Sequence, residues 1–430
     1  MSLKNDLTEL TEAGLLTPQQ ADNIRVWYRS RSGQKSPTSA VVLGVLGAAM
    51  IGIGIIMILA HNWDELSRSV KTLFAFLPLL LGQGLCVYTF FRRPDSRTWS
   101  ESSSVFLVFA IGACIALISQ IYNIPGNIAS FMVTWLLLSL PLVYLFRSSA
   151  VSLLYWAGAT FYACETNYWD YDNAQNFWYY PLISAVLPHY YYLCREKVRS
   201  WITALHHLAV ALSVAITLGI WADKEIEMLY FAYFSLFGLY YMTEILPALR
   251  RDDRRFNGYV FTAFVPTTIM LFAGSFREFW RELIAQGAKS GEAFASAEFA
   301  LAAGLTAAGV VALFYYRKEK DLFEQPYSWV FVSMFLALFL ALLSPVAAAV
   351  WVNLLILTIA FLSLRAGFRD DLLLKVNFGL VLFIILVFCR ISDGDLTFTI
   401  KGIISILLGL TFFAVNFYML RKRRQTEAES

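Results

Sequence analysis

The sequence predicts an all-α fold: a polytopic bundle of about fourteen transmembrane helices with both termini on the cytoplasmic side. Two observations carry this prediction. Hydrophobic residues make up 58% of the 430 positions and charged residues 15%, whereas a domain that faces water carries about 25% charged residues. The charges also fall in short clusters, separated by apolar runs of about 17–22 residues, the length of helix that crosses a hydrocarbon core. A soluble helical solenoid would instead show amphipathic periodicity in each helix.

Residues 1–39 read as a small cytoplasmic helical hairpin followed by a linker. Leu7, Leu10 and Ala13 share one helix face, and Gly14 stops the first helix. Thr17-Pro18-Gln19-Gln20 has the form of a capping box with proline at the first helical position, and Ala21, Ile24 and Tyr28 continue an apolar face. Residues 30–39 form the linker. The first apolar run, residues 40–60, is long enough to remain as a span, so no cleaved signal peptide is expected. A transmembrane domain occupies 40–420, and a basic cytoplasmic tail 421–430. The expected spans are 40–60, 70–90, 103–120, 129–146, 149–163, 177–194, 201–221, 228–247, 258–275, 295–316, 327–343, 346–364, 372–389 and 399–420.

Orientation follows from the basic residues. With the N-terminus inside, only Arg68, Lys71, Lys224, Arg277, Arg281, Lys289, Arg390 and Lys401 lie outside; the other 26 of the 34 Lys and Arg lie on the cytoplasmic side. One miscounted span would scramble this alternation. Between the ninth and tenth spans, residues 276–284 (FREFWRELI) can form an amphipathic helix on the outer surface. Phe276, Phe279, Trp280 and Leu283 would then face lipid, or the helix would pack on other loops.

Composition also excludes classes. Net charge is +3 and the basic residues are dispersed over many loops, so no stripe exists to track nucleic acid. Cys86, Cys114, Cys164, Cys194 and Cys389 fall in or beside spans without a CxxC partner, which suggests packing rather than a metal or disulfide site. No cofactor is implied, and the sequence contains no Gly-rich phosphate loop and no HExxH.

Two motifs stand out. The first span is followed by His61-Asn62-Trp63-Asp64-Glu65-Leu66-Ser67-Arg68-Ser69-Val70-Lys71, and the third closes with Ile118-Ser119-Gln120-Ile121-Tyr122-Asn123-Ile124-Pro125-Gly126-Asn127. Asn62 and Glu65 have capping-box spacing. Alternatively, Asp64, Arg68 and Lys71 form a charged rim that meets Gln120 and Tyr122, because both motifs reach the outer face. These two stretches, with the short N-terminal helical segment and a glycine-rich first span, resemble a bacterial family of membrane proteins known as domain of unknown function 2157. The resemblance covers roughly residues 7–150, with 40–150 as the family-like part of the transmembrane domain. It implies a multi-span protein of a bacterial cytoplasmic (inner) membrane and brings no established activity.

A second polar set lies toward the cytoplasmic leaflet: His189, His206, His207, Glu244 and Lys375. Ionisable groups within spans are costly and often mark ion or substrate pathways, although near span ends they also snorkel. Adjacent His206 and His207 point to different helix faces, which argues against a shared metal. Small residues crowd spans one (Gly44, Gly47, Gly52, Gly54) and ten (Ala302, Ala303, Gly304, Ala307, Ala308, Gly309), where backbones can approach closely. Pro78, Pro141, Pro181, Pro188, Pro266 and Pro345 sit in or beside spans, where kinks can open a cavity.

Three functional classes follow. A non-enzymatic membrane protein that binds or transports a small or amphiphilic solute ranks first, with membrane lipids as its surroundings. A membrane-embedded enzyme acting on a lipid-linked substrate ranks second; no catalytic residue is assigned. The third is a structural or signalling scaffold whose N-terminal hairpin docks a protein partner.

Overall fold

A computed structural model describes residues 7, 10–11, 13–32, 65–169, 178–196, 200–221, 226–243, 257–285, 292–317, 326–393 and 398–429. The first span, Asn62, Asp64 and Glu244 lie outside the described residues. Fifteen α-helices occur among those described: α1 (Pro18–Ser32), α2 (Arg68–Arg92), α3 (Arg97–Tyr122), α4 (Ile128–Leu145), α5 (Ser149–Cys164), α6 (Tyr179–Glu196), α7 (Trp201–Leu218) and α8 (Leu229–Met242), then α9 (Gly258–Gly274), α10 (Arg277–Leu283), α11 (Ala297–Tyr315), α12 (Val330–Leu343), α13 (Pro345–Arg369), α14 (Leu373–Asp393) and α15 (Phe398–Glu429). No strand is present among the described residues. The chain divides into two compact units, residues 1–76 and 77–430.

In the first unit, Gly14 takes φ +72°, and the amides of Leu15 and Leu16 return to the Leu10 carbonyl. Thr17 and Gln20 then cap α1 reciprocally: the Thr17 amide donates to Gln20 Oε1 at 3.0 Å and the Gln20 amide to Thr17 Oγ1 at 3.3 Å. Ser67 begins α2 by accepting from the Val70 amide.

Every expected span from the second onward has its helix. Among the described residues, eight helices are long and apolar enough to cross a membrane: α2, α3, α4, α7 extended to Trp221, α11, α13, α14 and α15. A ninth results if α9 and α10, bent by 89° at Ser275-Phe276, count as one. The fourteen-span expectation also draws on α5, α6, α8 and α12. α8 and α12 have 14 residues each, about 21 Å of helix against a core of about 30 Å. α6 has 18 residues but is diluted by five tyrosines and His189.

Among its described residues the second unit holds two large adjoining cores and a small third, where Val376 and Leu380 of α14 pack with Leu364 and Phe412. One large core, from α3 to α7, centres on Leu136, Tyr155, Trp156 and Val186. The other surrounds α8, of whose 14 residues 11 are buried, the pattern of a helix enclosed on all sides. Its tightest joint is Phe331 on α12, seated between Gly238 and Gly309. A Cβ on either glycine would come within 2.3 or 2.6 Å of the ring. α13 and α14 likewise form a close hairpin, with Gly379 against the Ala360 carbonyl. Tyr259 and Val214 pack against both large cores. Outward, Ile406, Leu410, Phe413 and Phe417 of α15 are exposed, an apolar surface suited to lipid.

The bend between α9 and α10 reverses one expectation. Trp280 and Leu283 are buried, not turned to lipid, and α10 packs on α13. Trp280 Nε1 donates to the Gly274 carbonyl at 2.6 Å, Asn353 Nδ2 to the Ser275 carbonyl at 2.9 Å, and Arg390 to Ser275 Oγ at 3.3 Å. The backbone groups released by the bend thus find side-chain partners, as an apolar medium requires.

Helix ends meet in two sets. The α2–α3 turn touches the α4–α5 turn, α4 and α6 end beside the start of α7, and α9 begins there too, through Tyr190 and Tyr259. Tyr168, in the π-turn after α5, instead bonds the Ile216 carbonyl near the end of α7, and Ser275 joins the end of α14. Ends that alternate in sequence therefore gather at the same end of the bundle.

Candidate functional site

α4 stops in a turn whose central residue is an arginine. Arg147 takes φ +46°, its amide returns to the Tyr144 carbonyl, and the Ser148 amide returns to Val143. This helix-ending motif normally places glycine in the left-handed position. Ser148 then caps α5, accepting from the Val151 amide at 3.2 Å. Glu101, one turn into α3, reaches across to the same turn. Its carboxylate accepts from Ser148 Oγ at 2.5 Å, the Ser149 amide at 3.0 Å and the Ala150 amide at 2.9 Å. An acidic group at the positive end of a helix is well placed electrostatically. Arg97 flanks it, 3.7 Å from Glu101 and 3.4 Å from Ser149 Oγ.

Two adjoining cavities open beside this staple, at the ends of α2, α3 and α4. One, of about 330 Å³, is lined by Thr89, Phe90, Pro94, Ser100, Leu145, Phe146 and Arg147. The other, of about 280 Å³, is lined by Gln83, Cys86, Val87, Phe90, Phe91, Leu107, Leu142, Leu145 and Phe146. Phe90, Leu145 and Phe146 belong to both, so a hydroxyl- and guanidinium-bearing chamber continues into an apolar one. Two hydroxyls and a cation at one end, and hydrocarbon walls at the other, suit a molecule of divided polarity.

A histidine–tyrosine cluster lies behind Arg147. The Arg147 guanidinium stands 5.6 Å from the Tyr192 ring, Tyr192 is 6.3 Å from His189, and His189 is 6.1 Å from His206. The tyrosine of the α4 end, Tyr144, meets His189 edge-on. His206 is fully buried, with Nδ1 2.8 Å from the Ile202 carbonyl. On the adjoining face of α7, His207 Nδ1 lies 2.6 Å from Tyr190 Oη, which lies 2.6 Å from Tyr259 Oη. Three members of the inner polar set thus come together. Lys375 does not join them: it pairs with Asp370 at 2.8 Å in the α13–α14 turn, where it and Arg369 hold the Asp370 carboxyl at about 2, below its ordinary 3.8. Among the described residues, no three His, Cys, Asp or Glu side chains are grouped to hold a metal ion.

The outer polar set is divided. Arg68, exposed at the start of α2, and Lys71 belong to the first compact unit. Gln120 and Tyr122 are exposed in the second, at the end of α3. There the Ser119–Asn127 motif performs a helix stop and restart. Asn123 is left-handed, the Ile124 amide returns to Ser119, and Asn127 forms a capping box with Ser130 that opens α4.

The residues around the cavities, chiefly Thr89, Ser100 and Glu101, were not singled out by the sequence; Arg147 entered only as one basic residue among many. The available signal was a single arginine in the two-residue gap between spans, followed at once by a serine able to cap the next helix. The comparison with known families bears on this same stretch. Residues 8–152 match the family described as Predicted membrane protein (DUF2157). No curated protein and no solved structure matches the chain. All the residues lining both cavities fall within the DUF2157 stretch, whereas the His189–His207 cluster lies beyond it.

Proposed function

We propose that this protein binds an amphiphilic solute at the ends of α2, α3 and α4, within an inner-membrane bundle of about fourteen spans whose termini are both cytoplasmic. The observation that carries the binding reading is the continuity of the two cavities across Phe90, Leu145 and Phe146. A polar end and an apolar end within one recess match the two halves of an amphiphile. The Glu101 staple supports the reading by fixing the two turns that form the polar end, so the recess is pre-formed rather than closed by the ligand.

Two independent features support the topology. Lys and Arg are concentrated on alternate connections, and the helix-end contacts pair connections of the same parity. In this reading α5, α8 and α12 cross with the help of flanking turns, and the cavity end of the bundle faces the cytoplasm. Reporter fusions after Arg93, Arg199 and Lys320 should read as cytoplasmic, and fusions near Asp172 and Lys224 as external. A cytoplasmic signal at Asp172 would overturn the topology. For binding, the purified chain should retain a fluorescent single-chain amphiphile, and Val87→Trp, which fills the apolar chamber, should weaken retention by about tenfold or more. Unchanged retention would remove the cavity as the binding place.

A further inference from the structure

We propose that the amphiphile is an anionic phospholipid, its phosphate held by Arg147 and Thr89 and one acyl chain lying in the apolar chamber; this rests on the amphiphile reading above. Arg147 has no carboxylate partner among the described residues; the partner it has is the face of Tyr192. The acid that reaches the α4–α5 turn, Glu101, is already committed to Ser148, to two amides of α5 and to Arg97. It therefore leaves the guanidinium's charge uncompensated at the polar chamber. Arg92 and Arg93, exposed just before the cavity-lining Pro94, outnumber the exposed Asp95 just after it and leave this rim positive.

Thr89 points to the same ligand chemistry. It lines the polar chamber and is fully buried, yet its hydroxyl has no hydrogen-bond partner among the described residues. Neighbouring hydroxyls such as Ser103 and Ser104 return to the carbonyl four residues earlier. A buried, unmatched hydroxyl is costly, and a side-chain rotation that turns it into the chamber toward an oxyanion would satisfy it. Guanidinium and hydroxyl together suit a tetrahedral phosphate, whose several oxygens accept from both.

Backbone conformation agrees. Three non-glycine residues in the described chain have positive φ, and each ends a helix: Asn123, Arg147 and Asp371. Asn and Asp tolerate the left-handed region through their short polar side chains; an arginine has no such relief. The chain accepts this strain where it presents a cation to a cavity. The apolar chamber then decides the source of the phosphate, because Val87, Leu107 and Leu142 offer nothing to a free ion.

The full chain in dodecyl maltoside, titrated with dioleoylphosphatidylglycerol and with dioleoylglycerol and followed by native mass spectrometry, tests the assignment. The phospholipid should bind at least tenfold more tightly than the neutral diacylglycerol. Arg147→Gly relaxes the backbone and should fold at least as well, yet lower phospholipid affinity about tenfold or more. Arg147→Lys should retain part of it, and Thr89→Val should cost several-fold. Equal binding of the two lipids, with no response to Arg147→Gly or Thr89→Val, would overturn the anionic headgroup while leaving an amphiphile site. Insensitivity of both lipids to Val87→Trp would instead overturn the amphiphile reading itself. Inorganic phosphate that displaced the phospholipid at comparable concentration would overturn the lipid as its source.

Discussion

The two large cores of the larger unit fill space differently. Around α8 the chain interlocks ring against glycine: Phe331 sits where Gly238 and Gly309 have no side chains, and Gly258 admits the backbone of α7 within 2.2 Å of where its Cβ would stand. From α3 to α7 the glycines within the helices are looser, 2.9 Å at Gly158 against Leu136 and 3.0 Å at Gly112 against Trp135, and the 2.6 Å approach at Gly219, just past α7, is to the hydroxyl tip of Tyr168 rather than to a ring or backbone. At the edge of that core the helices diverge enough to leave two cavities. With no hydrophobic drive between helices in lipid, association depends on close packing and hydrogen bonds. The α8 region therefore serves as the rigid block, and the α2–α4 ends are where open volume is tolerated and functional groups face it.

The rigid block is tested first at its tightest joint. Phe331→Ala should destabilise the detergent-solubilised protein by about 3–5 kcal/mol, because two glycine-lined walls cannot collapse to fill the void. Denaturant titration measures it, and a loss below about 1 kcal/mol would mean the block is no tighter than the cavity edge. Gly238→Ala places a Cβ 2.3 Å from the Phe331 ring and should cost about 1–3 kcal/mol. When both substitutions are combined, the smaller alanine side chain at position 331 should rescue much of that cost, and strict additivity would deny the interlock. At the other region, Glu101→Gln weakens three charge-assisted bonds across the staple and should cost about 1–3 kcal/mol. It should also loosen phospholipid binding, whereas Gly238→Ala should not. The smallest effect is expected at the α13–α14 turn. The carboxyl of Asp370 is held at about 2 by Lys375 and Arg369. Its stabilising pair should be intact above about pH 4, the ordinary carboxyl value, and fade as pH falls toward about 2. Asp370→Asn should flatten that acid limb of the thermal-stability profile.

Much of the helical framework was legible in the sequence because its signal is local. Apolar runs, proline and capping residues located α2 to α15, and the different faces of His206 and His207 followed from helical periodicity. Helix length was less legible: α8 and α12 read as spans from their hydrophobicity, but α8 ends at Met242, α12 starts only at Val330, and α8 is apolar because protein encloses it. The FREFWRELI segment shows the same ambiguity. Its amphipathic period is real, but it is Phe231 of α8, 6.3 Å from the Trp280 ring, and the packing of α10 on α13 that make this face meet protein. The cavities were not legible at all, since a void is defined by residues from three helices. Arg147 looked like one more basic loop residue until its backbone conformation and the commitment of Glu101 set it apart.

The elbow at Ser275 ties early helices to late ones in the order of assembly. Its carbonyl is met by Asn353, 78 residues later, and its hydroxyl by Arg390, 115 residues later. During synthesis α9 and α10 leave the ribosome long before either partner exists. An unmet carbonyl at a helix break is poorly tolerated in lipid, so this segment should linger beside the insertion machinery, or lie as one straighter helix, until α13 and α14 arrive. Nascent chains arrested before residue 345 should then crosslink to the insertion channel through Phe276, and chains extended past residue 400 should not. That outcome would make the bend a checkpoint at which the late helices release the early ones.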